Sequence, residues 1–331
     1  MKSGGSSPAD ARLDILRAIA VVLVVIHHGQ QMYGINWSRL GHYGVLIFFV
    51  HTSLVLMMSM ERMAARSRSI AVPFYIQRAF RIYPLSILCV LSMVALHIPA
   101  SHTDAVYVKP DVIRLISNLL LIQNWGAGQV LDPLWSLPFE IQMYVVLPFI
   151  FLFLARFRRG GAMAALFTGS IILGSLQFVS YYGKIAEFFP CFMAGVYAFW
   201  LRGRQRVFIP STLWPLLILA LAGFYMAVSF PGDAFLVCLG LGLAAGRFRV
   251  PSTSWWTMGA HQIAKYSYGI YLVHEPLYWA CFYHLKLGSQ AAKWLLFLVL
   301  VCAVPFALYH GIEAPMIRVG KRLSERWQTA D

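Results

Sequence analysis

Charge is what this sequence has least of. Only 12% of its 331 residues are Asp, Glu, Lys or Arg, and just 13 are acidic. A soluble globular domain carries about 25% charged residues. With 59% of the chain apolar, a soluble domain of this length is excluded, because it could not cover that much apolar surface. Disorder is excluded by the same composition. Cysteine is scarce too. Cys89, Cys191, Cys238, Cys281 and Cys302 all fall in apolar runs and form no C-x-x-C pair. They are expected as buried packing, without a zinc site or disulfide framework. No H-x-x-E-H or related spacing occurs, so no metal is expected. The connectors are short, and no appended soluble domain is expected.

What is present is a series of apolar runs long enough, or nearly so, to cross a bilayer. They lie at about 13–33, 43–60, 82–98, 135–155, 162–182, 185–201, 213–230, 234–246, 266–284 and 294–313. The stretch 113–125 reads as a re-entrant or interfacial helix. The expected fold class is all-α: a polytopic transmembrane helical bundle of about ten spans, with residues 1–331 forming one integral membrane domain. The first apolar run carries Arg17, His27 and His28 and has no clear A-x-A exit, so it reads as a first helix and not a cleaved leader.

The 27 Lys and Arg give a formal net charge of +14. In a soluble protein this would suggest nucleic acid. If the N-terminus is cytoplasmic, only Arg39, Lys109, Arg114, Lys184, Lys286 and Lys293 lie outside. The other 21 lie inside, Lys2, Arg62, Arg66, Arg68, Arg158 and Arg159 among them. That bias predicts an N-in, C-in orientation and makes nucleic acid unnecessary as a partner.

An ionisable residue within a span is a functional candidate. Arg17 and His28 are 11 positions apart, which returns a helix to within about 20° of its starting direction, and His28 lies about 16 Å further along the axis. His27 is turned about 80° from that face. A neutral His28 reaching a water-filled cavity could act as a general base; the alternative is a histidine bonded to a neighbouring helix as packing. Arg78 and Arg81, three apart, are helix neighbours and could clamp a phosphate. Arg62, Arg66 and Arg68 fit orientation better. In Trp135-Ser136-Leu137-Pro138-Phe139-Glu140, the carboxylate needs a partner on another helix, and Tyr144 shares its face one turn on. Pro138 and Pro148 could break or kink that helix. Tyr271, His274 and Glu275 on the ninth run, and Glu313 at the exit of the tenth, suit structural pairing at least as well as chemistry.

These segments, in this order, resemble the acyltransferase-3 family of integral membrane acyltransferases that acylate cell-surface carbohydrates. The resemblance rests on LDILRAIAVVLVVIHH from Leu13, FYIQRAFRIYPL from Phe74, LDPLWSLPFEIQMYVVLPF from Leu131, SYGIYLVHEPL from Ser267 and YHGIEAPMIRVGKR from Tyr309. The family's Arg–ten residues–His pattern falls on Arg17 and His28, its Arg-x-x-Arg on Arg78 and Arg81, and its Trp-Ser-Leu…Glu on Trp135, Ser136, Leu137 and Glu140. One departure stands out: where the family commonly has Ser-Gly on the second span, this chain has Thr52-Ser53, which puts close helix approach there in question.

The resemblance implies transfer of an acyl group, usually acetyl, from cytoplasmic acyl-CoA to a hydroxyl of an envelope carbohydrate or lipid-linked sugar. The expected place is the cytoplasmic (inner) membrane of a bacterium. In that scheme Arg17, Arg78 and Arg81 bind the acetyl-CoA donor, His28 is the base, and Glu140 orients or charge-balances it; a transient acyl-His remains open. Trp135, Tyr144, Tyr271 and His274 would support substrate binding. A homodimer is compatible with the sequence. The competing class is a glycolipid or sugar transporter or flippase, which intramembrane charges also suit, although the two halves share no repeated motif.

Overall fold

The computed structural model describes residues 8–66, 69–104, 106–157, 160–179, 186–286 and 288–327. Of the cations counted above, Lys2, Arg68, Arg158, Arg159 and Lys184 lie outside the described residues. The described residues are helical, with no strands; one isolated bridge joins Ile209 and Phe248.

The helices are α1 (Pro8–Gln31), α2 (Ser38–Ala64), α3 (Ala71–Ala95), α4 (Val112–Leu119), α5 (Leu137–Arg156), α6 (Gly160–Ser175), α7 (Phe189–Leu201), α8 (Leu213–Ala227), α9 (Asp233–Ala245), α10 (Trp255–Trp279), α11 (Gln290–Leu308) and α12 (Ala314–Arg326). Each of the ten apolar runs falls on one of them. The other two are α4 and α12. Five helical stretches are long and apolar enough to cross a membrane: Ser38–Ala64, Ala71–Ala95, Asp132–Arg156, Gly160–Phe178 and Gln290–Arg326. Helices α7, α8 and α9 are apolar but shorter. Helices α1 and α10 are 24 and 25 residues long, but carry Arg12, Asp14 and Arg17, and Lys265 and Glu275. Large apolar side chains such as Leu295, Phe149, Leu216 and Ile172 are exposed, as lipid-facing groups should be. The protein is an integral membrane protein.

Helix α4 begins where Asp111 accepts the backbone N–H of Arg114 at 2.7 Å, an N-cap. Val112, Ile113 and Ile116 on it are exposed, which suits an interfacial helix. Pro138 is the second residue of α5, where the missing N–H costs no intrahelical bond. It opens the helix and does not break it; Pro148 lies inside. All five cysteines are free. Four are buried as expected, but Cys302 on α11 is exposed, because it lies on a face left uncovered.

The chain divides into two compact units, one of residues 1–58 and 153–267, the other of 59–152 and 268–331. In the first unit, α7 is the core element: Cys191, Phe192, Met193, Ala194 and Val196 are almost wholly buried. It can be so enclosed because its glycine and its neighbours' glycines let backbones meet. A Cβ on Gly195 would overlap Ser53 Oγ and the Val50 carbonyl oxygen, and one on Gly242 of α9 would overlap the Ala194 carbonyl. Ser53 donates to the Phe192 carbonyl at 2.7 Å. Close helix approach at Ser53 is therefore achieved, with the glycine on α7 in place of one on α2.

In the second unit, α3 packs along α12, where a Cβ on Gly320 would stand 2.6 Å from Phe80 Cβ. Gln77 Nε2 donates to Ser324 Oγ at 2.8 Å across the same seam. Two π-helical turns, Ala280–His284 and Tyr309–Glu313, follow α10 and α11. The second is followed directly by α12, with Pro315 among its first residues. Its extra residue per turn sets the direction of Glu313.

Candidate active site

In the first unit, α1 carries Arg17 and His28. Arg17 Nε donates to Ser267 Oγ at 2.5 Å, and that hydroxyl also donates to the Ala264 carbonyl at 2.8 Å. This ties α1 to α10. His27 and His28 are both buried, with ring centroids 4.8 Å apart. His27 packs over Gly41 of α2, where a Cβ would lie 2.7 Å from His27 Cγ, and its Nε2 lies 3.2 Å from Gln31 Nε2. His27 therefore packs against α2.

In the second unit, α3 carries Arg78 and Arg81. The Arg81 guanidinium pairs with Glu313 at 2.9 Å, and the carboxylate is buried. Arg78 lies within electrostatic reach of Glu140, Tyr144 and Arg81. Its Nε–H is buried and has no hydrogen-bond partner among the described residues. Tyr144 donates its hydroxyl proton to Glu140 Oε2 at 3.1 Å, as their one-turn spacing implies. Both arginines open into a cavity of about 250 Å³ also lined by Arg62, Arg66, Gln77, Lys321 and Glu325. Sequence reasoning assigned Arg62 and Arg66 to orientation and missed Lys321. No local pattern brings α2, α3 and α12 together.

The supporting residues separate into roles. Tyr271 donates to the Pro133 carbonyl at 2.7 Å and lies 2.7 Å from Ser136 Oγ, so it holds the turn Asp132–Ser136 before α5. Trp135 is half-buried, edge-on to Phe139. His274 is fully buried, with Nδ1 3.1 Å from the Ile270 carbonyl of its own helix. Its neighbour Glu275 faces elsewhere. Glu275 Oε1 accepts from the His102 backbone N–H at 2.8 Å, lies 2.7 Å from His102 Nδ1 and accepts from Ser101 Oγ at 3.1 Å. His102, a buried loop residue 173 positions away, carried no signal in the sequence.

The Arg81–Glu313 pair supports one prediction on stability. Removing one member of a buried pair leaves the other charge uncompensated, at about 3–5 kcal/mol. Arg81→Ala is expected to lower the thermal unfolding midpoint in detergent clearly more than the neutral double replacement Arg81→Gln/Glu313→Gln does. Equal losses would show that the pair is not coupled.

The family model described as an acyltransferase domain, Acyl_transf_3, matches residues 10–310. The chain is similar to YrhL of Bacillus subtilis (strain 168), which carries the name of a putative peptidoglycan O-acetyltransferase; it is 25% identical, over 95% of this chain and 56% of that protein. It is also similar to the peptidoglycan O-acetyltransferase OatA of Listeria monocytogenes, 25% identical over 43% of this chain and 24% of the relative. The O-acetyltransferase OatA of Staphylococcus aureus (strain NCTC 8325 / PS 47) is 27% identical over 51% of this chain and 29% of its own length. The chain thus spans about half, or less, of the length of these curated relatives. No solved structure matches the chain. With its apolar helices, its Arg-x-x-Arg pair on α3 and a family model covering residues 10–310, the chain belongs to the acyltransferase-3 family.

Proposed function

We propose that this protein is a membrane O-acyltransferase that moves an acyl group, acetyl in the simplest case, from cytoplasmic acyl-CoA to a hydroxyl of an extracytoplasmic glycan or lipid-linked sugar. The observation that carries this reading is the basic cavity around Arg78 and Arg81. A diphosphate is the kind of group two adjacent guanidiniums hold well, and the unpartnered Arg78 Nε–H is a donor ready for it. The relatives' names put peptidoglycan first among acceptors to be tried.

In this reading the chain forms one membrane domain of about ten spans, N-in and C-in, in the inner membrane of a bacterium, so that the cavity would open to the cytoplasm. His28 accepts the proton of the acceptor hydroxyl as its oxygen attacks the thioester carbonyl. The C–S bond breaks, and the imidazolium returns the proton to the leaving thiolate. The variant path forms an acyl-His first. Arg17, which shares the His28 helix face, would help to bind the donor, and Glu140 would orient or charge-balance the base.

The direct test supplies labelled acetyl-CoA and envelope glycan to the purified protein in lipid. Label on the glycan is expected; movement of the sugar without label would support a transporter instead. Donor binding has its own check. Arg78→Gln is expected to weaken acetyl-CoA binding about 10- to 100-fold, as the loss of one charge-assisted hydrogen bond should. Arg78 is the better probe, because replacing Arg81 also disturbs Glu313. Unchanged affinity would return Arg78 to an orientation role.

A further inference from the structure

The cavity at Arg78 and Arg81 holds more positive charge than a diphosphate requires. Arg62, Arg66 and Lys321 line it as well, and Glu325 is the one carboxylate among the described residues that line it. Glu325 is one turn after Lys321 and offsets a single charge. Glu313 is already committed to Arg81.

These cations come from three separate elements. Arg62 is in the last turn of α2. Arg66 follows that helix, its N–H bonded to the Met63 carbonyl at 2.9 Å. Lys321 is next to Gly320, which is held against Phe80. The α3–α12 seam therefore sets where the ammonium stands.

Orientation by positive charge explains cations on this side of the membrane. It does not by itself place three exposed cations, Arg62, Arg66 and Lys321, around the rim of one cavity, where an anion would meet all of them. Arg204, which does not line this cavity, is packed on its own helix. Arg204 lies over the Trp200 ring at 4.1 Å and donates to the Trp200 carbonyl of its own helix.

We propose that Arg62, Arg66 and Lys321 form a second anion subsite in this cavity, which binds a third phosphate of the acyl donor, separate from its diphosphate. The proposal rests on the donor reading above and deepens it. It makes the cavity selective for a donor with a phosphorylated ribose over the same thioester lacking that phosphate. A phosphate at this rim could also come from an anionic lipid headgroup, so the test separates the two sources.

The full chain, reconstituted in nanodiscs of zwitterionic lipid only, is assayed with acetyl-CoA and with acetyl-3′-dephospho-CoA. The wild type is expected to show a KM about 10- to 100-fold higher for the dephospho donor, which forgoes one or two charge-assisted hydrogen bonds. Arg62→Gln/Arg66→Gln/Lys321→Gln is expected to raise the acetyl-CoA KM to that level and to leave the dephospho KM within about twofold. Transfer from both donors with equal KM in the wild type overturns the subsite and leaves the acyltransferase reading standing. Transfer from neither overturns both. A defect of the triple variant seen only when anionic lipid is added, without discrimination between donors, makes a lipid headgroup the occupant and overturns the proposal. If the triple variant does not fold, the two-donor comparison in the wild type still decides.

Discussion

Acetyl transfer by His28→Ala, in membranes containing normal amounts of the protein, is expected to fall about 10²- to 10⁴-fold, the usual contribution of a positioned general base. The adjacent histidine supplies the control. His27 and His28 are equally buried, so loss of packing alone would affect both variants alike. His27 fills the space over Gly41, so His27→Gln should cost stability while sparing most of the transfer rate. A His28→Ala variant with activity near wild type would remove the proposed base. A His27→Gln variant as inactive as His28→Ala would mean that the pair acts as one structural unit.

Gly195→Ala is expected to destabilise the first unit by about 3 kcal/mol or more, at or beyond the top of the usual overpacking range of about 1–3 kcal/mol. The added methyl meets Ser53 Oγ and the Val50 carbonyl oxygen, with the Leu54 nitrogen 3.0 Å away. Backbone atoms cannot rotate away as a flexible side chain can. Parting the helices also stretches the Ser53–Phe192 hydrogen bond, a further ~1 kcal/mol. Thermal unfolding in detergent, with the folded fraction measured by size exclusion, reads the effect. Ser53→Gly should rescue only part of it, because the Val50 carbonyl stays in place. A Gly195→Ala protein as stable as wild type would show that α2 and α7 do not meet this closely.

Much of the architecture was legible along the chain because it depends on local composition. An apolar run of about 20 residues satisfies its own backbone groups as a helix wherever it lies, and each of the ten runs does fall on a helix. Glu140 with Tyr144, and Arg78 with Arg81, were legible because helical period makes residues three and four apart neighbours. The doubt raised by Ser53 was not resolvable locally. The chain moved the small residue to the facing helix, and only the packed structure shows the exchange. The pairs Arg81–Glu313 and His102–Glu275 were out of reach for the same reason: partners so far apart along the chain leave no periodic trace. Glu313 also depends on a π turn, which shifts the face that ideal helical counting would assign.

Sequence therefore determined the helical class, the membrane setting, the family and the residues worth testing, since hydropathy, charge bias and short motifs are properties of contiguous chain. Tertiary structure decided which cations share a cavity, which carboxylate holds Arg81, and what His27 packs against. Those outcomes depend on how closely elements can approach, as at Gly195, Gly242 and Gly320, positions that only their neighbours in space make meaningful.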